Sequence, residues 1–243
     1  MSQPNLRIGT AGWTIPASAA AAFPGEGSSL ERYSARLACA EINSSFHRSH
    51  RPDTWRRWAS SVPEGFLFSA KLSKEITHKR KLAEFDAPLA AAVAEMKELG
   101  ERLALLLVQL PPSLAFEPAA AESFLTGLRA LWDRDVALEP RHPSWFEPGP
   151  DALLADRRIA RVAADPARVP AAAEPGGWRG LAYYRLHGSP VMYRSSYDDG
   201  RLEDLARRLA GAAAPAWCIF DNTASSAATG DALKLDRLMS RSL

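Results

Sequence analysis

Short apolar, β-branched runs recur about every thirty residues, separated by stretches of helical periodicity or turn chemistry. Strands are expected at Leu6–Thr10, Cys39–Phe46, Gly65–Leu72, Leu103–Leu110, Val136–Arg141, Ile159–Asp165, Leu181–His187 and Ala216–Asn222. Amphipathic helices fit Leu30–Leu37, Pro52–Ser60, Ala87–Leu99, Pro118–Leu131, Pro148–Arg157, Leu202–Ala212 and Ser225–Met239. Several of these carry proline in the first turn, where its missing N–H leaves no helical bond unmade. The stretch PARVPAAAEPGGWRG, from Pro166 to Gly180, holds at most one helical turn.

Eight βα units over 243 residues predict an α/β fold of the (β/α)8 TIM-barrel-like type. The expected organisation is a single domain over residues 1–243 with an irregular sixth crossover. A doubly wound open sheet is the competitor. After the first strand, however, Gly9-Thr-Ala-Gly12 lacks the third glycine of a dinucleotide-binding turn, and no acidic ribose partner is evident.

Side chains alternate along a strand, so its apolar set marks the face toward the helices and the other set faces the barrel interior. That interior set is unusually polar. Glu41, Asn43 and Ser45 alternate with Ile42; Lys71 lies between Phe68 and Leu72; Gln109 ends the fourth strand. Glu139 and Arg141 alternate with Val136 and Leu138, Asp165 ends the sixth strand, and the seventh contributes Tyr183, Arg185 and His187. If Trp217 and Ile219 face outward, Phe220 and Asn222 turn inward, although the phase leaves Asp221 open. Most of these groups fall at C-terminal strand ends, the face on which barrel enzymes assemble their sites. Glu41, Glu139 and Asp165 balance Lys71, Arg141 and Arg185, so the set could hold a ligand or form a structural ion-pair lattice.

Composition adds less. Thirty Lys and Arg against 28 Asp and Glu leave +2, too little to mark the whole surface as a polyanion partner. Residues 41–82 nevertheless hold nine Lys or Arg against four Asp or Glu, with Lys79-Arg80-Lys81 as the sharpest run. An anionic ligand would be drawn there. Two cysteines in apolar runs exclude a disulfide framework, and neither a leader nor a membrane span is recognisable, so a cytoplasmic location is expected. Ser and Thr after Asn222 and the His187-Gly188-Ser189 turn could form a phosphate corner or ordinary helix caps. Trp13 and Trp145 could stack on a ring or cap the barrel. Three cations among the carboxylates argue against a metal site, and no cofactor motif is present.

The segments IGTAGW, EINSSFHR, FLFSAKLSKEITH, LLLVQLPPS, LEPRHPSWF, RVAADP, YYRLHGSP and CIFDNTASSAA together resemble the domain of unknown function 72 family, the YecE-like proteins. The matches run in the family's order from Ile8 to about Leu235. The resemblance implies a TIM-barrel-like fold, but no reaction, substrate or cofactor, so no catalytic residue is carried over from it. Its segments coincide with the inward-facing residues, Asp221 and Asn222 included. One departure is His47, which stands where the family usually has tyrosine.

Two functional readings follow. In the first, a metal-independent hydrolase, lyase or isomerase acts on a small anionic organic molecule. Lys71, Arg141 and Arg185 hold the anion, Glu139 transfers the proton with His187 complementing it, and Glu41, Asn43, Gln109, Asp165, Asn222 and Trp13 line the site. Lys71 is also a lower-ranked Schiff-base nucleophile, because Glu41 or Glu139 nearby would keep it protonated. The second reading is a non-catalytic nucleotide or nucleic-acid binder using the basic loops after strands two and three with Trp13 and Trp145.

Overall fold

The structure, a computed structural model, describes residues 6–241. The first five residues, part of the stretch read for a leader, lie outside the described residues. The strands are β1 Leu6–Ala11, β2 Cys39–Ile42, β3 Leu67–Lys71, β4 Leu103–Gln109, β5 Asp135–Glu139, β6 Ala160–Arg161, β7 Ala163–Asp165, β8 Gly176–Gly177, β9 Ala182–Leu186 and β10 Ala216–Phe220. They form one sheet in the order β7-β9-β10-β1-β2-β3-β4-β5-β6-β8, parallel except for β8. Because β6 and β7 are consecutive pieces of one strand, flanked by β5 and β9, the sheet curls into a nearly closed barrel. This is the expected βα architecture.

The sixth strand departs from expectation by breaking at Val162, so that β6 pairs with β5 while β7 pairs with β9. Val162 turns into the barrel, and its N–H bonds Leu138 O at 2.9 Å. Arg161 instead points toward the helical layer, where its Nε donates to Asp151 at 2.9 Å. Its guanidinium lies where a Cβ on Gly176 would stand, which explains a glycine in β8. The crossover over 166–180 contains only the 3₁₀ turn Pro170–Ala173 and β8, in line with its composition.

The outer layer consists of α1 Ser29–Ser34, α2 Pro52–Ser60, α3 Asp86–Met96, α4 Pro118–Leu131, α5 Pro148–Asp156, α6 Asp199–Ala210 and α7 Ala227–Arg241. Ile42, Phe68, Leu106, Val136, Leu138 and Phe220 face this layer and join the larger hydrophobic core. The interior is a separate cluster that includes Leu105, Leu107, Ala137, Val162, Tyr183, Trp217 and Ile219. Trp217 stacks on Tyr183 at 6.1 Å. The apolar lower barrel therefore carries a charged layer at the C-terminal strand ends.

Two local differences affect the mouth. The second strand ends at Ile42, and Ser44–Phe46 forms a 3₁₀ turn. Ser45 consequently donates to the Ile42 and Lys71 carbonyls rather than presenting a free hydroxyl. After β3 the chain forms a single π-helical turn, Glu75–Lys79, a geometry found mostly as short inserts and often beside functional sites.

A candidate active site at the barrel mouth

Alternation brings Glu41, Lys71, Gln109, Glu139, Arg185 and His187 into one cluster, and Arg141 reaches it from the turn after β5. At its centre is Arg185, with 0% exposure. Its Nε and Nη2 donate to both Glu41 oxygens at 3.0 and 2.7 Å, Nη1 to Glu139 at 2.6 Å, and Nη2 also to Asp221 at 2.9 Å. From below, the Tyr183 hydroxyl donates to Glu41 at 3.0 Å and meets Ser69 Oγ at 2.9 Å. A buried cation contacting three carboxylates satisfies the pairing that low-dielectric surroundings require.

Glu139 is engaged on both oxygens. One accepts from Gln109 at 2.7 Å and from Arg185; the other lies 2.7 Å from Arg141 Nη2 and 2.9 Å from His187 Nε2. Burial alone would raise its pKa, but Arg185, Arg141 and His187 prevail and hold it well below the usual carboxylate range. Asp221 is held down in the same way by Arg185 and His187, again against burial.

His187 bridges the two carboxylates, with Nδ1 3.0 Å from Asp221 and Nε2 2.9 Å from Glu139. Arg141 Nη2 also lies 3.1 Å from Nε2. A protonated ring donates to both carboxylates. A neutral ring donates to Asp221 and accepts from Arg141. Both forms find partners on the neighbouring carboxylates and Arg141.

Lys71 differs from every other cation of the cluster. It is 5% exposed, yet among the described residues its ammonium touches no carboxylate or other hydrogen-bond acceptor; its contact is the Phe46 ring, 4.1 Å from Nζ. Burial first and Arg185 second lower its pKa to about 8, against the opposing pull of Glu41, Glu139 and Asp221. Two further buried atoms at the mouth have no partner: Asn43 Oδ1 and Arg141 Nε. His78 borders this rim through an edge contact to Phe46 at 4.9 Å, and its pKa is lowered by burial, Lys71 and Arg141. Tyr193, 39% exposed, stands edge-on over His187 at 5.6 Å. His47 is exposed and packs its ring against Phe46.

Three expected lining residues fall elsewhere. Asp165 faces outward beside Tyr184 and Leu186, where it bonds the Tyr197 hydroxyl at 3.1 Å and Arg201 at 3.1 Å. It borders a cavity of about 170 Å³ between the sheet and α6, because alternation runs regularly through the sixth strand with Ala160 and Val162 inside the barrel and Arg161, Ala163 and Asp165 outside it. Asn222 ties the loop after β9 to α7, donating to Ser195 O at 2.9 Å and Asp231 at 2.7 Å. Trp13 packs between Trp58 and Phe68, on the helical side of the sheet.

The eighth strand has the opposite phase to the one expected from its outermost apolar residues. Trp217 and Ile219 fill the barrel, Phe220 packs outside, and Asp221 therefore takes the inward position. The strand is apolar on both faces, so polarity could not set its phase; the requirement for a large side chain beside Tyr183 could have. Tyr193, Phe46 and His78 come from a loop, a 3₁₀ turn and a π turn, where strand alternation does not operate. In the basic segment, Lys79 and Arg80 pair with Glu75, and Arg80 also with Glu84. Trp145 is buried with its indole N–H on Leu114 O, whereas Trp13 is half-buried against Trp58 and Phe68.

These observations define a parallel βα barrel whose mouth is closed by a charge network with a desolvated amine at its rim. The chain belongs to the family described as protein of unknown function DUF72, which matches residues 7–243. It is 28% identical over 132 residues to the UPF0759 protein YecE of Escherichia coli K12. That stretch is 54% of this chain and 48% of YecE, so the chain spans about half the length of this curated relative. A DUF72 family protein from Enterococcus faecalis V583 superposes with a TM-score of 0.79 at 19% identity, covering 97% of this chain and 95% of that one. Another from Thermotoga maritima MSB8 gives 0.78 at 20% identity, covering 97% and 99%. At these identities the likeness concerns the fold alone.

Proposed function

We propose that the protein is an enzyme acting by acid/base chemistry on a small anionic organic substrate at the C-terminal mouth of the barrel. The observation that carries this reading is Lys71, a buried side chain whose ammonium has no anionic contact among the described residues, at the same end of the barrel as the buried and unpartnered Arg141 Nε and Asn43 Oδ1. A purely structural lattice would pair the two buried atoms, because a buried unmade hydrogen bond costs about 1–3 kcal/mol, and would bring a carboxylate to the lysine. A carboxylate on Lys71 and Arg141, with a neighbouring hydroxyl donating to Asn43, would satisfy all three.

Within this reading the roles shift from those expected from the sequence. Arg185 is fully buried, spends four of its five N–H donors on Glu41, Glu139 and Asp221, and holds them in place. Glu139 receives donors on both oxygens and is a poor base; with Asp221 it orients His187, whose Nε2 transfers the proton once the bound substrate displaces its Glu139 and Arg141 contacts. Lys71 and Arg141 hold the anion. The test is deuterium incorporation from D2O into C–H positions of C2–C4 hydroxy and oxo carboxylates, followed by proton NMR. Wild-type protein is expected to deuterate at least one of them, His187→Gln to lose the exchange about 10²-fold or more, and the exposed-lysine variant Lys97→Met to retain it. No exchange above the uncatalysed rate with any of these acids would contradict acid/base turnover.

A further inference from the structure

We infer that Lys71 is a carbonyl-trapping nucleophile, so that the substrate is a small aldehyde or ketone bearing an anionic group, held during the reaction as a Schiff base on Nζ. This deepens the reading above and rests on its anion site. From sequence alone the idea ranks low because neighbouring carboxylates would keep the amine charged. The geometry reverses that expectation. All three carboxylates of the mouth are engaged by Arg185, and none touches Nζ.

A Schiff-base lysine needs a lone pair at working pH and no fixed acceptor competing for its protons. Lys71 meets both conditions. Its flank is the Phe46 ring, which supports the cation without accepting a conventional hydrogen bond. Burial and Arg185 bring its proton equilibrium to about 8, so roughly a tenth of the amine is neutral at pH 7. Its carbonyl is fixed by Ser45, so the strand end that bears the amine does not depend on the ligand for order.

The remaining groups serve the other half of the chemistry. Neutral Nζ adds to the carbonyl carbon, and its displaced proton together with one from protonated His187 converts the carbonyl oxygen first to a hydroxyl and then to water. The products are a protonated imine on Lys71, neutral His187 and one water molecule. His187 has the neutral arrangement ready, donating to Asp221 and accepting from Arg141. Arg141 Nε, unpartnered on the same rim, would hold the carboxylate.

The full chain is incubated at neutral pH with glyoxylate and sodium cyanoborohydride, and the sites of carboxymethylation are read by peptide mass spectrometry. Lys71 is expected to be modified on the order of tenfold faster than any of the other five lysines. Lactate, which has no carbonyl, serves as the binding probe: it should protect Lys71 and should still bind Lys71→Arg, a variant that keeps the charge but forms no adduct. Preferential labelling of Lys71 with protection by lactate supports the inference. Lactate binding without preferential labelling overturns the Schiff base and leaves the anion site standing. The absence of both overturns the two together.

Discussion

Arg185→Met is expected to lower stability by about 3–5 kcal/mol, a fall in Tm of roughly 6–20 °C for a chain of this size. Methionine fills much of the volume but leaves Glu41, Glu139 and Asp221 facing one another in a barrel where Arg185 had separated them. Arg185→Lys should fall between, since a point charge cannot reproduce the forked contacts. The effect has a pH signature. Glu139 and Asp221 titrate below their ordinary range in the folded protein, so their contribution is complete above about pH 4 and disappears as pH falls through the folded values. Denaturant melts from pH 3 to 7 should show that slope in wild type and a weaker one in Arg185→Met. A loss below about 1 kcal/mol would mean that the cluster does not hold the barrel together.

Lys71→Met should do the reverse, raising stability by about 1–3 kcal/mol at neutral pH while abolishing binding of small carboxylates. The folded protein bears the expense of burying an ammonium that the unfolded chain leaves in water, and the downward displacement from 10.5 to about 8 sets its size. Loss of the contact with Phe46 subtracts a little. Below pH 8 the lysine is protonated in both states and the penalty is constant. Between about 8 and 10.5 the folded protein sheds the proton first, so wild-type stability climbs toward that of the variant. Equilibrium unfolding of the pair at pH 7 and pH 10 measures both the offset and its closure. Destabilisation of several kcal/mol by Lys71→Met would place this lysine in the structural lattice. A residue that weakens the fold but is required for binding is the usual mark of a site rather than of a scaffold.

Much of this mouth could be read from strand periodicity. Where one face of a strand is uniformly apolar, as with Val136 and Leu138 or Phe68 and Leu72, the opposite phase is determined, and Glu139 and Lys71 follow. Arg185 and His187 emerge in the same way from β9. The phase fails where both faces are apolar, as in Ala-Trp-Cys-Ile-Phe of β10, where the pattern favours Asn222 and leaves Asp221 open. It fails again in the sixth strand, where Val162 turns inward and regular alternation then carries Asp165 outward with Arg161 and Ala163; nothing in Arg-Val-Ala-Ala-Asp announces that phase. Trp13 illustrates a third limit, since a loop aromatic obeys no period and settles wherever a neighbouring ring, here Trp58, lies.

What alternation cannot supply is pairing. The sequence offers balanced charges and leaves both a lattice and a ligand site open. The distances divide the set: Arg185 with Glu41, Glu139 and Asp221 forms a closed mesh, whereas Lys71 stands beside it without an ionic contact. The mesh pairs the buried charges of the mouth, and the proposed chemistry rests on the lysine with Arg141 and His187.

The most direct test is the titration of the Lys71 side chain itself, followed by NMR in protein carrying labelled lysine, with Lys71→Arg used to assign the signal. A midpoint close to 8 that moves upward when lactate is added is the predicted result, because a bound carboxylate favours the charged amine. A midpoint above 10 that ignores lactate would contradict a desolvated amine awaiting an anion, and with it the proposed site.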